Sequence, residues 1–146
     1  MKLDILAFGA HPDDAELGAG GSLSKAVATG SKVGIIDLTR GELGTRGTPE
    51  LRSQEAHRAA KIIGVSIREN LGFADGFFEN SKVNQLKVIE KIRHYQPDVV
   101  FCNAIEDRHI DHARGSELVS NACFLSGLVK IDTYDEEGNP QSAWRP

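Results

Sequence analysis

Several things are scarce in this chain, and each scarcity excludes a class. Two cysteines, Cys102 and Cys123, in 146 residues rule out a disulfide scaffold. They form no CxxC pair and read as reduced, buried apolar residues of a cytoplasmic protein. No apolar run approaches the ~20 residues that a membrane helix needs. No repeat or low-complexity tract is present, so solenoids and disordered tails drop out. Charge of one sign is also lacking: 17 Lys+Arg against 21 Asp+Glu leave a formal charge of -4. Neither nucleic acid nor an anionic membrane is favoured as a partner by that balance. Asp4 stands where a secretion signal would be apolar, which again predicts the cytoplasm. What remains, 40% hydrophobic and 26% charged residues, is the composition of one soluble globular domain.

The chain alternates β-rich runs with helical patterns. Leu3 to Phe8 reads as a strand buried on both faces and ending at Gly9. Ala15 to Thr29 reads as a helix stopped by Gly30. Lys32 to Leu38 is a second strand, followed by a loop from Thr39 to Thr48 with Gly41, Gly44 and Gly47. Pro49 suits the first position of a helix running to Ile63. A short strand follows at Ser66 to Leu71. Val83, Leu86, Ile89 and Ile92 mark a helix that ends before Pro97. Asp98 to Asn103 is another strand and Gly115 to Leu128 another helix. Strands alternating with helices predict βαβ units and a Rossmann-like, three-layer α/β fold with a mostly parallel sheet.

Two polar clusters follow two of these strands. Ala10-His11-Pro12-Asp13-Asp14 comes directly after the first, and Arg108-His109-Ile110-Asp111-His112 comes shortly after Val99–Asn103. Ligands of open parallel sheets bind at the carboxyl ends of strands, where the winding reverses. The clusters meet there if the two strands are neighbours. Asp13, Asp14 and Asp111 at one spot repel each other unless a cation offsets them. Two histidines and a carboxylate with an open position describe a hydrolytic zinc site, and iron(II) is the competing metal. His57 and His94 fall on helices and read as surface residues. A dinucleotide reading has Asp37 where a ribose-binding acid would stand, but the first turn lacks GxGxxG and its aspartates oppose a pyrophosphate.

Ala10-His11-Pro12-Asp13-Asp14 and His109-Ile110-Asp111-His112 together resemble the signature of the LmbE-like, or PIG-L-like, zinc-dependent N-deacetylases. The stretches Asp37–Gly47, Arg52–Ala56, Phe73–Phe78 and Cys102–Ala104 are similar to the bacillithiol-biosynthesis subgroup, which deacetylates N-acetylglucosaminyl-malate. The resemblance implies residues 1–146 as one deacetylase domain with one zinc ion held by His11, Asp14 and His112. It implies Asp13 as general base and His109 as the group that polarises the carbonyl or protonates the leaving amine. Asp111 is implied to orient and tune a histidine, expected to be the neighbouring His109. Arg52 matches a substrate-contacting arginine, and Asp75 is implied to face a sugar hydroxyl. Family members usually continue with more strands and a helical C-terminal part that closes the cleft and builds a homo-oligomer. This chain is expected to lack that part.

The implied chemistry is hydrolysis. Zinc lowers the pKa of a bound water from about 15.7 toward roughly 7, Asp13 takes its proton, and a protonated His109 holds the oxyanion. The substrate is a small N-acetylated amino sugar. Rival readings are a deacetylase of N-acetylglucosamine, a chito-oligosaccharide or a glycolipid, and a non-catalytic metal- or sugar-binding truncated form.

Overall fold

The computed structural model describes residues 1–146. Four strands and four helices alternate: β1 (Ile5–Gly9), α1 (Asp14–Ala28), β2 (Val33–Thr39), α2 (Pro49–Ile63), β3 (Ile67–Phe73), α3 (Lys82–Tyr95), β4 (Val99–Phe101) and α4 (Ile110–Ser126). The sheet order is β3-β2-β1-β4 and every pairing is parallel. The expected α/β architecture is therefore present, with a wholly parallel sheet.

Local chemistry explains the helix ends. Thr48 caps α2 by accepting the Leu51 N–H at 3.2 Å, Pro49 opens it, and Gly64 closes it at φ 85°. Ser81 accepts the Asn84 N–H at the start of α3, and Gln96 ends that helix before Pro97.

β2 is buried at all seven positions, as its run of Val, Gly, Ile, Ile, Asp, Leu and Thr requires of a central strand. One face of the sheet packs Leu6, Phe8, Ile36 and Leu38 against α3 and α4 residues such as Val88, Ile92, Leu118 and Ala122. The other packs Ala7, Val33 and Ile35 against Ala15 and Leu23 of α1, with Ile63 of α2 alongside. These are the three layers. The segment after α4 folds back onto α3: buried Arg93 donates to the carbonyls of Ser126, Leu128 and Ile131 and to the Thr133 hydroxyl, and the Trp144 indole donates to the Pro97 carbonyl at 2.7 Å.

Two elements depart from expectation. β4 is only three residues long and half-exposed, because it is the sheet edge and has a partner on one side only. α4 begins at Ile110, five residues before the expected Gly115. His109 caps it, its ring Nδ1 accepting the Asp111 N–H at 3.3 Å, so the first turn tolerates polar side chains that mask the helical pattern. Cys102 is exposed, contrary to expectation, because it lies just past the edge strand. No helix is long and apolar enough to cross a membrane.

The winding places the functional ends. From β1 the chain steps outward to β2 and β3, then crosses back to β4 on the other side of β1. The crevice of such a sheet lies between β1 and β4, where both polar clusters emerge.

Candidate metal centre

The end of β1 is pinned from both neighbours. The Ala10 N–H donates to Asn103 Oδ1 at 2.8 Å, beyond β4. The Ala10 carbonyl accepts the Thr39 N–H at 3.0 Å and its hydroxyl at 2.9 Å, at the end of β2. Gly9 makes the turn possible, since a Cβ there would lie 3.1 Å from the Asp14 Cβ and from the His11 carbonyl. Asp13 follows with φ 151°, a conformation that L-residues rarely adopt. It stands at the N-cap position of α1, yet its carboxylate makes no capping bond. It turns instead toward Arg52, 3.2 Å away.

Three imidazoles gather around Asp14. Its Oδ2 is 3.5 Å from His11 Nδ1 and its Oδ1 is 3.2 Å from His112 Nε2. His109 stacks on His112 with centroids 4.8 Å apart and meets His11 edge-on at 4.6 Å. One nitrogen from each of the three rings lies within 4.8 Å of the others. A second group of the same kind is His11, Asp75 and Asp111.

The remaining ring nitrogens are already occupied. His11 Nε2 faces Asp75 Oδ1 at 3.1 Å and Asp111 Oδ2 at 3.3 Å, and His112 Nδ1 faces Asp107 Oδ2 at 3.0 Å. His11 and His112 thus each carry a carboxylate behind the ring and present the other nitrogen to Asp14, the arrangement that fixes the tautomer of a metal-ligating histidine. The 3.2 Å from His112 Nε2 to Asp14 Oδ1 is near the ~3.3 Å edge of a tetrahedron with ~2.0–2.1 Å bonds, and two imidazoles with a carboxylate are donors that suit zinc. The same set suits iron(II).

The electrostatics agree with a cation at this point. Burial alone would lower the His11 pKa, but Asp14, Asp75 and Asp111 outweigh it and push it up to about 9. Burial would raise Asp14, but hydrogen bonds from the His11 ring and backbone and from Asn103, with the charge of His112, hold it at about 2. Asp13 is raised above the ordinary carboxylate range, chiefly by burial, with Arg52 pulling the other way.

A cleft of 620 Å³ opens over these groups, lined by His11, Asp13, Asp14, Arg52, His109 and His112 among others. The two motifs are brought together as the sequence suggests, but Asp111 has a different partner there from the one expected. Asp111 is fully buried and its carboxylate is turned to His11, held by the Gly76 N–H at 2.7 Å and Arg114 at 2.9 Å, not to His109. The His109 ring is hydrogen-bonded to the Asp111 backbone: its Nδ1 accepts that N–H, so the proton the ring offers the cleft is on Nε2 and a doubly protonated ring would break the cap. Asp75 is 6% exposed; its oxygens meet His11 and the Leu43 N–H at 2.8 Å, and it borders the cleft. Arg52 borders the cleft, but its guanidinium donates to Gly41 O at 3.1 Å and to Pro12 O and Asp13 Oδ2 at 3.2 Å each. A Cβ at Gly41, which sits at φ +64°, would fall 1.9 Å from that guanidinium.

Asn103, Asp107 and Arg114 carry parts that sequence reasoning missed. Asn103 and Asp107 sit just beyond the β4 strand, close before the second motif, and that position was the available signal. Arg114 is three residues after Asp111 on α4, the spacing of a helical ion pair. The dinucleotide reading ends at Asp37, which is 2% exposed and gripped by Arg68 through bonds of 3.0 and 2.8 Å. No ribose reaches it.

Known proteins are similar to this chain. The family described as PIG-L, GlcNAc-PI de-N-acetylase, matches residues 6–123. The uncharacterized deacetylase YaiS of Escherichia coli is 35% identical over 125 residues, 82% of this chain and 67% of the relative. The diacetylchitobiose deacetylase of Thermococcus kodakarensis is 28% identical over 90% of this chain and 53% of the relative. The crystal structure of the conserved protein TT1542 from Thermus thermophilus superposes with a TM-score of 0.88 at 43% identity, covering 98% of this chain and 62% of that one. The chain thus spans about half to two thirds of the length of these proteins. With both motifs inside the matched residues, the chain belongs to the PIG-L, or LmbE-like, family of de-N-acetylases.

Proposed function

We propose that this protein is a metal-dependent N-deacetylase of an N-acetylglucosaminide, with residues 1–146 as one deacetylase domain. The observation that carries the reading is the Asp14 carboxylate between His11 and His112 on the floor of a 620 Å³ cleft, with Asp13 at its side. His11, Asp14 and His112 hold the ion, zinc or iron(II). When bound, the ion supplies an acidified water and an electrophilic pull on the amide carbonyl.

The chain's own groups do the rest. Asp13 is not needed as a ligand and accepts the proton of the attacking water. Its raised pKa makes it a stronger base than an ordinary carboxylate. His109 offers its Nε2–H to the carbonyl oxygen as that oxygen gains charge. The water oxygen bonds to the acetyl carbon, the C–N bond breaks, and Asp13 returns the proton to the leaving amine. Acetate and a free amino sugar are the products. Asp75 and Asp111 hold His11 in the tautomer that turns Nδ1 forward. Arg52 steadies Asp13 and keeps two of its five N–H donors for substrate.

For the substrate, we infer N-acetylglucosaminyl-malate, in bacillithiol biosynthesis and in the cytoplasm. The similarity of the Asp37–Gly47 and Phe73–Phe78 stretches to that subgroup supports this. So does Arg108, which lines the cleft and stands next to His109, where a carboxylate on the sugar's substituent would meet it. The whole protein is proposed to act as a homo-oligomer on this small substrate. A form that binds metal or sugar without turnover is the second reading; the chain spans 53% of the length of the diacetylchitobiose deacetylase relative.

Metal analysis paired with acetate release on the zinc-loaded protein tests both. The expected result is about one zinc per chain and faster release from the malate glucoside than from N-acetylglucosamine or diacetylchitobiose. Full occupancy with no acetate from any of the three overturns the enzymatic reading. Faster release from diacetylchitobiose overturns only the assignment of substrate.

A further inference from the structure

The two carboxylate oxygens of Asp14 are not equivalent. Oδ2 accepts the His11 backbone N–H at 2.9 Å and the Asn103 side-chain amide at 3.1 Å, with His11 Nδ1 farther off at 3.5 Å. Oδ1 has His112 Nε2 at 3.2 Å and no N–H of that kind upon it. Asn103 is itself fixed in orientation, because its Oδ1 accepts the Ala10 N–H at 2.8 Å. Turning the amide over would set its NH₂ against that N–H and its oxygen against the carboxylate, so the two bonds specify one placement.

We infer that Asn103 is a positioning residue for metal binding: by occupying Oδ2 it makes Asp14 a one-oxygen ligand through Oδ1. This rests on the ligand set proposed above. A hydrolytic zinc site needs an open position for water beside its three protein ligands. A carboxylate with both oxygens free can swing to two-oxygen binding and take up that position. Two donors on Oδ2 oppose the swing, and partners behind a ligating group are worth about 10–100-fold in metal affinity. The same residue ties β4 into the site. That strand is three residues long at the sheet edge, and Asn103 just beyond it touches both the end of β1 and the ligand carboxylate.

Asn103→Ala removes the donor to Asp14 together with the bond to Ala10. Thr39→Val serves as the control, since Thr39 pins the same Ala10 from the other side and has no bond to Asp14. Zinc affinity is read by chelator competition, and coordination by the visible spectrum of the cobalt(II)-loaded protein. The expected result is a 10–100-fold loss of zinc affinity and an altered cobalt band for Asn103→Ala, with Thr39→Val within about twofold of the parent on the same scale. Equal losses in both variants, or a parent-like spectrum and affinity in Asn103→Ala, overturn the inference. If Asn103→Ala does not fold, the parent decides: the Asn103 side-chain NH₂ protons exchange slowly and shift on zinc addition, and fast exchange with no shift overturns it. A parent that binds neither zinc nor cobalt overturns the ligand set itself. None of these readings depends on acetate release, so enzymatic failure and failure of this inference are told apart.

Discussion

Adjacent strands β1 and β2 both end in buried charge, and the two ends are neutralised by different bases. Near the end of β2, Asp37 is paired with Arg68 through two bonds, and Glu16 lies on the same guanidinium. Beyond β1, Asp14 has only imidazoles for cations, His11 and His112. A guanidinium has no lone pair to offer and never gives up its proton, so the Asp37 cluster is closed to metals. An imidazole can lose its proton and become a ligand, so the Asp14 cluster can exchange protons for a metal ion. The same kind of acid is closed to metals in one place and open to them in the other because of the base beside it.

The comparison breaks most sharply at the imidazoles. His112→Ala is expected to abolish stoichiometric zinc binding while leaving the circular dichroism of the fold in place, since His112 lies in the open cleft. Asp13→Ala is expected to keep its zinc and to lose about 10²–10⁴ in acetate release. Inductively coupled plasma analysis and the release assay, run on both variants, check the pair. Near-parent turnover in Asp13→Ala would assign the base to another group.

Most of this was legible because the relevant signals are local. The apolar runs of β1 and β2, the Thr48–Pro49 start and Gly64 stop of α2, and the two His/Asp motifs can be read residue by residue. What was not legible depends on distance through space. Asp111 was expected to serve its sequence neighbour His109, but helical geometry from Ile110 turns its carboxylate inward to His11, a hundred residues away. Arg52 looks like any helix arginine until the Gly41 turn brings a carbonyl and the Asp13 turn a carboxylate to it. Asn103 stands in a stretch that resembles the family, but its role could not be read there, since it requires β4 to pair beside β1.

The closed cluster can be opened to sharpen the contrast. Arg68→Met keeps the stem of a side chain only 3% exposed and removes its charge. Two carboxylates, Asp37 and Glu16, then lose their shared counterion. Removing one partner of a buried ion pair costs about 3–5 kcal/mol. Urea unfolding at pH 7 is expected to show a loss of that order, and the variant's zinc stoichiometry is expected to stay at the parent's. A loss below about 1 kcal/mol would rank the pair with exposed surface pairs.

The smallest effect is a pH slope. Burial pushes the Asp37 carboxyl up to about 6, against the pull of Arg68 and with help from the charge of Glu16. A carboxyl raised in the native state binds a proton there that the unfolded chain has already released. Its contribution to stability is therefore full below the ordinary carboxylate pKa of about 4 and is lost as the pH rises through about 6. Asp14 has the opposite sign: its depressed pKa gives stability that is lost only as the pH falls toward about 2. Between those limits Asp37 is the group to isolate. Asp37→Asn cannot titrate, so the stability difference between parent and variant is expected to shift against the parent from pH 4 to pH 6 and to level off above that. Urea midpoints of the two proteins across that range measure it. A difference that is flat from pH 4 to pH 6 would mean that Arg68 keeps Asp37 ionised throughout, and that the closed cluster is an ion pair at every working pH.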